Sequence, residues 1–449
     1  MDAVLLSRIQ FALTVGFHYL FPPLSIGLGL FLVIMEGQYL RTENPLYIKV
    51  TKFWVKIFAL IFVLGVASGI VMEFQFGTNW SEYSRFVGDV FGSALAAEGL
   101  FAFFLESSFL ALLLFGWNRV SPGMHFFSTI MVAFGAHLSA LWIIIANSWQ
   151  QTPAGHHIVE TENGVRAEIV NFWQVVFNPS TIDRFTHVIF GCWLAAAFLV
   201  LSVGAYYMLR KRDIEFAKLN LKIGLVIAVL ASILQLQTGH LSAITVSETQ
   251  PAKLAAFEGH YTTNQPADMY LFGWVNEKEE KVQFGIRLPG FLSFLVHFDS
   301  QAPVVGLDSY ALDDRPPVNI VFQTYHLMIT IGMGLIFLSL LGLYLWWRKK
   351  LFTARWYLWI LVFSVLLPQI ANQVGWISAE VGRQPYIVYN LLRTEEAIST
   401  TLSTGEAWAS LILFSLIYAL LFALFIYLFN HKIQNGPEEL EQNQGEQAG

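Results

Sequence analysis

The chain has 449 residues, 55% of them hydrophobic and 13% charged, with 39 Phe and a mean hydropathy of +0.54. Soluble domains carry about a quarter charged residues, so the composition excludes an ordinary soluble protein and reads as an all-α polytopic membrane protein. A net charge of −6 argues against a nucleic-acid partner, and the single cysteine, Cys192, excludes an intrachain disulfide, a cysteine zinc site and an iron–sulfur cluster.

Nine apolar runs are long enough to cross a bilayer, at about 20 residues each. The first, Phe11–Met35, has no small-residue cleavage site and outlasts a signal peptide, so it is read as a retained anchor. Within it, Pro22 lacks the N–H that would bond the carbonyl of His18, and the helix should bend there. The second and third runs, Trp54–Phe76 and Ser93–Trp117, carry Glu73, Glu98 and Glu106. Phe126–Ser148 holds His137, read as a packing residue, and Phe185–Leu209 holds His187 near its start. The sixth run, Leu221–His240, is the weakest, being shorter and ending in Gln235, Gln237 and His240. A long connection, Leu241–Asn319, comes next; its start, Glu248–Thr262, has helical spacing. Ile320–Trp347 contains His326 and Met328, Trp356–Ser378 leads into Glu380 and Arg383, and Ala407–Phe429 closes the set. Residues 1–433 thus form one membrane domain, and 434–449 read as a disordered acidic tail.

Basic residues orient the spans. Arg41, Lys49, Lys52, Lys56, Arg119, Arg210, Lys211, Arg212, Arg348, Lys349, Lys350 and Lys432 crowd short connections on one side, which predicts the N-terminus outside and the C-terminus in the cytoplasm. His18, His187, Met328 and Glu380 then fall in one layer near the outer face. A lone membrane histidine is more often a packing residue, and a lone methionine is filler. Four potential iron ligands at one depth point to haem. Gly191 and Gly332, four residues past His187 and Met328, should leave room for a flat macrocycle.

Glu98 and Glu106 are expected about 80° and about 12 Å apart on one helix, so both can line a proton path. Glu73 is a third candidate member. Their alternative use is interhelical hydrogen bonding. His125, His156, His157, His297 and His431 read as loop or surface residues.

Several stretches then match a known family in order and spacing: SRIQFALTVGFHYLF, KFWVKIF, GIVMEFQFGTNWSEYSRFVGDVFG, LAAEGLFAFFLES, LSALWIIIANSWQQTP, PAKLAAFE and GWISAEVGRQPY. Over essentially its whole length the chain resembles subunit I of the cytochrome bd-type quinol oxidases, in the group with a short outer loop. The resemblance implies two haem b plus a haem d, or a third haem b in its place. It puts His187 and Met328 on the low-spin haem b, His18 and Glu380 on the two high-spin haems without deciding which serves which, and Arg383 and His326 in the haem surroundings. It assigns Lys253 and Glu258 to a quinol-binding loop, and Glu98 and Glu106 to the proton path toward the O2 site. It also implies a homologous subunit II, often a very short single-helix subunit, and the bacterial cytoplasmic membrane. Two residues depart from the family pattern: His326 stands where an arginine is expected, and Tyr386 where a tryptophan is. The expected activity is quinol oxidation at the outer face with O2 reduced to water, cytoplasmic protons being consumed without a pump. The competing readings are a haem–copper oxidase, for which no histidine cluster exists, and a haem-free proton or ion transporter using the same carboxylates and histidines.

Overall fold

A computed structural model of the chain describes residues 2–162 and 164–439, so all but the first six residues of the predicted tail lie outside the described residues. Among the described residues, nine helical spans are long and apolar enough to cross a membrane, each overlapping one predicted run. The first span is two helices, α1 (Ala3–His18) and α2 (Pro22–Thr42), separated by a break immediately after His18, as the two prolines require. The second is α3 (Pro45–Thr78), started by the Asn44 cap with proline behind it.

In the third span, α4 (Ser81–Glu98) and α5 (Phe104–Phe115) are joined by a π-helical turn at Gly99–Phe103. No residue in the run marks this turn. One residue added to a turn rotates the remainder of the helix by roughly 100°, so the 80° offset expected between Glu98 and Glu106 nearly closes. The fourth span is α6 (Pro122–Gln151). A hairpin, β1 (His156–Thr161) with β2 (Gly164–Ile169), and a short helix α7 (Phe172–Val176) lead to α8 (Thr181–Arg210), the most enclosed span. Gly27 lets α2 cross it closely, since a Cβ there would lie 2.5 Å from the Cys192 carbonyl.

The sixth span, α9 (Ile214–Thr249), is 36 residues long and not the shortest. The helix continues through Gln235, Gln237 and His240, where the Gln235 amide meets His187 on α8 at 3.0 Å and the His240 ring meets Phe298. Then come α10 (Pro251–Glu258), the pairs β3 (Met269–Tyr270) with β6 (Arg287–Leu288) and β4 (Trp274–Asn276) with β5 (Lys281–Gln283), and α11 (Phe291–His297). The seventh span is α12 (Val318–Trp347), and the eighth is split into α13 (Arg355–Ser364) and α14 (Leu366–Val381). The strands β7 (Tyr386–Val388) and β8 (Leu392–Arg393) precede α15 (Thr404–Asn435), which runs two residues into the predicted tail.

Side-chain bonds from Asn79 to Ser7, Gln151 to Lys253, and Asp183 to Thr245 put the N-terminus and the long connection on the same face, the loop-bearing face. The main core lies toward the opposite face around Trp54, Phe58, Phe198, Tyr207 and Phe216.

Candidate functional site

Two histidines are held in the same way. Ser68 donates its hydroxyl to the Leu64 carbonyl at 2.7 Å, so its oxygen is left to accept from His18 Nδ1 at 3.0 Å. The next residue, Gly69, lies under the ring: a Cβ there would sit 3.2 Å from His18 Cε1. On α9, Thr238 donates to the Leu234 carbonyl at 3.0 Å and faces His187 Nδ1 at 3.4 Å, and a Cβ on Gly239 would sit 3.3 Å from His187 Cε1. A hydroxyl residue followed by glycine therefore cradles each ring. With the proton held on Nδ1 by Ser68, the Nε2 lone pair of His18 is the free ligand atom, whereas the Gln235 amide also approaches His187 Nδ1, at 3.2 Å. His18 Nε2 has no hydrogen-bond partner among the described residues, and His187 Nε2 faces the Gln235 amide at 3.0 Å.

Helix α14 gathers these elements. Gln373 donates to the Gly16 carbonyl at 2.8 Å, next to His18. Asn372 Oδ1 approaches Gly191, 3.1 Å from where a Cβ would be, and Met328 Sδ lies 2.7 Å from a Cβ built on Gly375. The space expected beside Gly191 is thus filled by an amide, whereas Gly332 faces open space as expected. Trp376 touches both sides: the Tyr19 ring meets it edge-on at 5.5 Å, and the Arg184 guanidinium lies 5.6 Å from its centre.

At the end of α14, Glu380 Oε1 accepts from Asn147 at 3.2 Å and from Gln151 at 3.1 Å, and Oε2 accepts from Arg383 at 2.5 Å. Glu380 is therefore ion-paired with Arg383, although a carboxylate has lone pairs left for a further partner. Arg184 donates to Asn147, and Lys253 donates to Gln151 and, at 2.5 Å, to Gln250. Lys253 is 2% exposed; burial, with Arg184 and Arg383 beside it, pushes its ammonium pKa well below the usual lysine range, against the pull of Glu380. Buried Lys253 and Arg383 and half-buried Arg184 thus share one carboxylate, and Arg184 Nε and Arg383 Nη1 have no partner among the described residues. Such a cluster favours the entry of further anions. Two imidazoles, one with a free Nε2 and one whose Nε2 meets only the Gln235 amide, a thioether, a carboxylate and unpaired guanidinium atoms fit haem: iron ligands on one side, donors for propionates on the other.

Glu258 lies at the end of α10, 3% exposed among Leu254, Phe257 and Phe322. Its Oε2 has no partner, and burial pushes its pKa up to about 8. Phe257 stacks on Tyr325 at 4.3 Å, docking α10 on α12. His326 faces the Phe322 carbonyl at 2.9 Å with Nδ1 and the Tyr270 carbonyl at 2.8 Å with Nε2, so its ring nitrogens tie α12 to the loop.

The carboxylates of the third span face α6. Ser139 donates to Glu98 at 2.7 Å, and one turn away Gly135 leaves room for Glu106, 2.9 Å from Glu106 Cβ to a Cβ built there. Glu98 lies within electrostatic reach of both Glu106 and Glu73, and Glu73 is on an exposed face of α3. His137 is a fixed packing residue as expected, facing the Ala133 carbonyl at 2.7 Å and accepting from Trp193 at 3.0 Å. His125 departs from its expected loop role: it is 2% exposed and bonds Glu36 at 2.6 Å, because the turn after α5 folds Trp117 over it at 3.8 Å. Sequence reasoning on single residues missed Arg184, Asn147, Gln151 and the two cradles. Arg184 carried a signal, a charged residue three positions before a candidate ligand.

The sequence profile described as Cytochrome bd terminal oxidase subunit I matches residues 6–437. The chain is 40% identical to the cytochrome bd ubiquinol oxidase subunit 1 of Bacillus subtilis (strain 168), over 98% of this chain and 95% of that protein. It is 36% identical to the cytochrome bd-II ubiquinol oxidase subunit 1 of Escherichia coli (strain K12), over 99% and 98% respectively. Among solved structures, the bd oxidase from Geobacillus thermodenitrificans superposes with a TM-score of 0.89 at 29% identity, covering 97% of this chain and 99% of that one. A nine-span bundle that gathers two cradled histidines, a methionine and an arginine-paired carboxylate onto one helix, matched from end to end by these relatives, belongs to the cytochrome bd terminal oxidase subunit I family, and the chain is a subunit of a quinol oxidase.

Proposed function

We propose that the protein oxidises membrane quinol at its loop-bearing face and reduces O2 to water within the same bundle, drawing protons from the opposite side. The loop-bearing face is the outer face of the bacterial cytoplasmic membrane, a reading supported by the basic residues at the other ends of the spans. His187 and Met328 would hold a low-spin haem b, and His18 and Glu380 two high-spin haems, a second b and a d or third b. When bound, these haems supply one-electron transfer and the place where O2 is reduced.

The protein's own residues manage protons and charge. Glu258, unpartnered in an apolar setting, accepts a proton from a quinol hydroxyl; a pKa raised to about 8 suits a base working near neutral pH. Lys253 fixes α10 to Gln151 and so to Glu380, which keeps the quinol loop in register with the cation cluster. Arg184 and Arg383 offer propionates the donors that no protein group uses. Glu106 and Glu98, on nearly one face because of the π turn, pass protons toward the loop-bearing half, with Ser139 beside Glu98. Protons taken up on one side and released on the other move charge without a pump, each charge storing about 2.3 kcal/mol per 100 mV. The exposure of Glu73 supports a second membrane subunit on the α3–α4 flank, since a carboxylate turned to lipid is costly.

The observation that carries this reading is the excess of cations around Glu380, with buried guanidinium atoms left unpaired. A pyridine haemochromogen assay on the purified complex tests it: two haem b for each haem d, or haem b alone, is expected. A pure complex with no Soret band would leave a cofactor-free carrier as the better account.

A further inference from the structure

Ser7, Gln10, Thr14 and His18 recur at three- and four-residue steps, so they share one face of α1. Ser68, Gln75 and Asn79 share one face of α3, which runs antiparallel to it. The two faces join as a ladder. Asn79 donates to Gln10 at 3.2 Å and to Ser7 at 3.4 Å, Gln75 donates to Thr14 at 2.7 Å, and His18 bonds Ser68 at 3.0 Å. Helix α15 closes the third side: Gln10 donates to Ser410 at 2.5 Å and Tyr418 to Thr14 at 3.1 Å. At the top, Thr78, which is exposed, donates to Asn79 at 2.8 Å. The ladder therefore runs from the loop-bearing surface to the His18 ring, about 16 Å along α1.

Hydrogen bonds between membrane helices are worth only about 0.6 kcal/mol on average. An empty buried acceptor costs about 1–3 kcal/mol, so a purely adhesive seam has no reason to leave one open. This ladder does: Gln75 Oε1, on the rung nearest His18, is buried with no partner. A water molecule would satisfy it, and the Thr14 and Tyr418 hydroxyls are among the polar neighbours that could hold one. No ladder member between Thr78 and Ser68 is ionisable near neutral pH. Such a lining hydrogen-bonds water but offers no group to carry a proton, unlike the Glu106–Glu98 face across the bundle.

We propose that the α1–α3–α15 ladder is a hydrated column through which water formed beside His18 leaves toward the loop-bearing face. This rests on O2 reduction as the reaction, and the deciding measurement reads water and not turnover. Radiolytic hydroxyl footprinting of the whole purified complex after mixing with H2(18)O reports exchangeable water beside a buried ring. Tyr418, 3% exposed, should take up (18)O about as readily as the exposed loop residue Phe284, whereas Tyr357, bonded to the Leu338 carbonyl far from the ladder, should not. The double variant Thr14→Val, Gln75→Leu should lower the Tyr418 label roughly tenfold while the haem spectrum is kept, because the water loses its partners; Thr14→Ser should keep the label. Tyr418 as protected as Tyr357 would make the column dry and the ladder mere adhesion. A label on Tyr418 that the double variant leaves unchanged would equally overturn the proposal. Absent haem with a labelled Tyr418 would count against the oxidase reading and not against the hydrated column.

Discussion

The two halves of the bundle treat buried polar groups in opposite ways. Toward the face opposite the loop, most are answered within the protein, Asn220 Nδ2 being an exception. Trp54 donates to Asn220 at 2.9 Å, Tyr357 to the Leu338 carbonyl at 2.8 Å, and the two oxygens of Glu36 are taken by His125 and Thr129 at 2.6 and 2.5 Å. In the loop-bearing half, Arg184 Nε, Arg383 Nη1, Gln235 Oε1, Asn372 Nδ2, Glu258 Oε2 and Gln75 Oε1 are left unanswered. Because an unpaired buried polar atom is expensive, the first half is a finished fold and the second is a socket, completed by what binds there.

The contrast can be broken most directly at a ligand. Met328→Leu preserves volume and packing against Gly375, yet should abolish the low-spin alpha band of the complex and with it quinol-supported turnover. An unchanged band would remove Met328 from the socket. In the finished half, Glu36→Ala leaves His125 buried without its carboxylate and should cost about 3–5 kcal/mol of stability. Thermal unfolding in detergent reads that loss, and the haem spectrum of the folded fraction should be unaltered. A spectral change would mean the two halves are not separable.

Glu106→Gln keeps the shape against Gly135 but cannot pass a proton, and should slow O2 consumption roughly 100-fold. Normal rates in stopped-flow oxidation would reduce Glu106 to packing. Glu258→Gln should have the smallest effect at neutral pH, roughly tenfold on turnover at fixed quinol. The sign is set by the raised pKa. The carboxylate form accepts the proton, so wild-type turnover should rise with pH up to about 8 and fall on the acid side, and the variant should lose that limb. The same shift means the folded state binds this proton more tightly than the unfolded chain. Stability should therefore decline as pH rises from the ordinary carboxyl range through about 8. A pH profile identical in variant and wild type would take Glu258 out of the quinol site.

Some of this was legible residue by residue. The break after His18 comes from Pro22 and Pro23, and apolar run length located every span, because both are local properties of the chain. The π turn at Gly99–Phe103 was not legible, since nothing in a phenylalanine-rich run distinguishes one extra residue per turn. The sixth span looked short because hydropathy counts Gln235 and His240 as polar whether or not a neighbouring helix partners them. His125 looked like a loop residue for the same reason: Glu36, its partner, is 89 positions away. The family motifs pointed to His18, His187, Met328 and Glu380, but not to how they are held.

Sequence by itself determined a nine-span helical membrane protein, the residue types able to ligate iron, and the family those motifs name. Only the tertiary structure decided that Lys253 enters the Glu380 cluster, that Ser68 and Thr238 orient the two histidines, and that three cations share one carboxylate. The reason is physical. Hydropathy and helix breaking sum over neighbours in the chain, whereas pairing in a low-dielectric interior depends on which groups meet, and Asn147 reaches Glu380 across 233 residues.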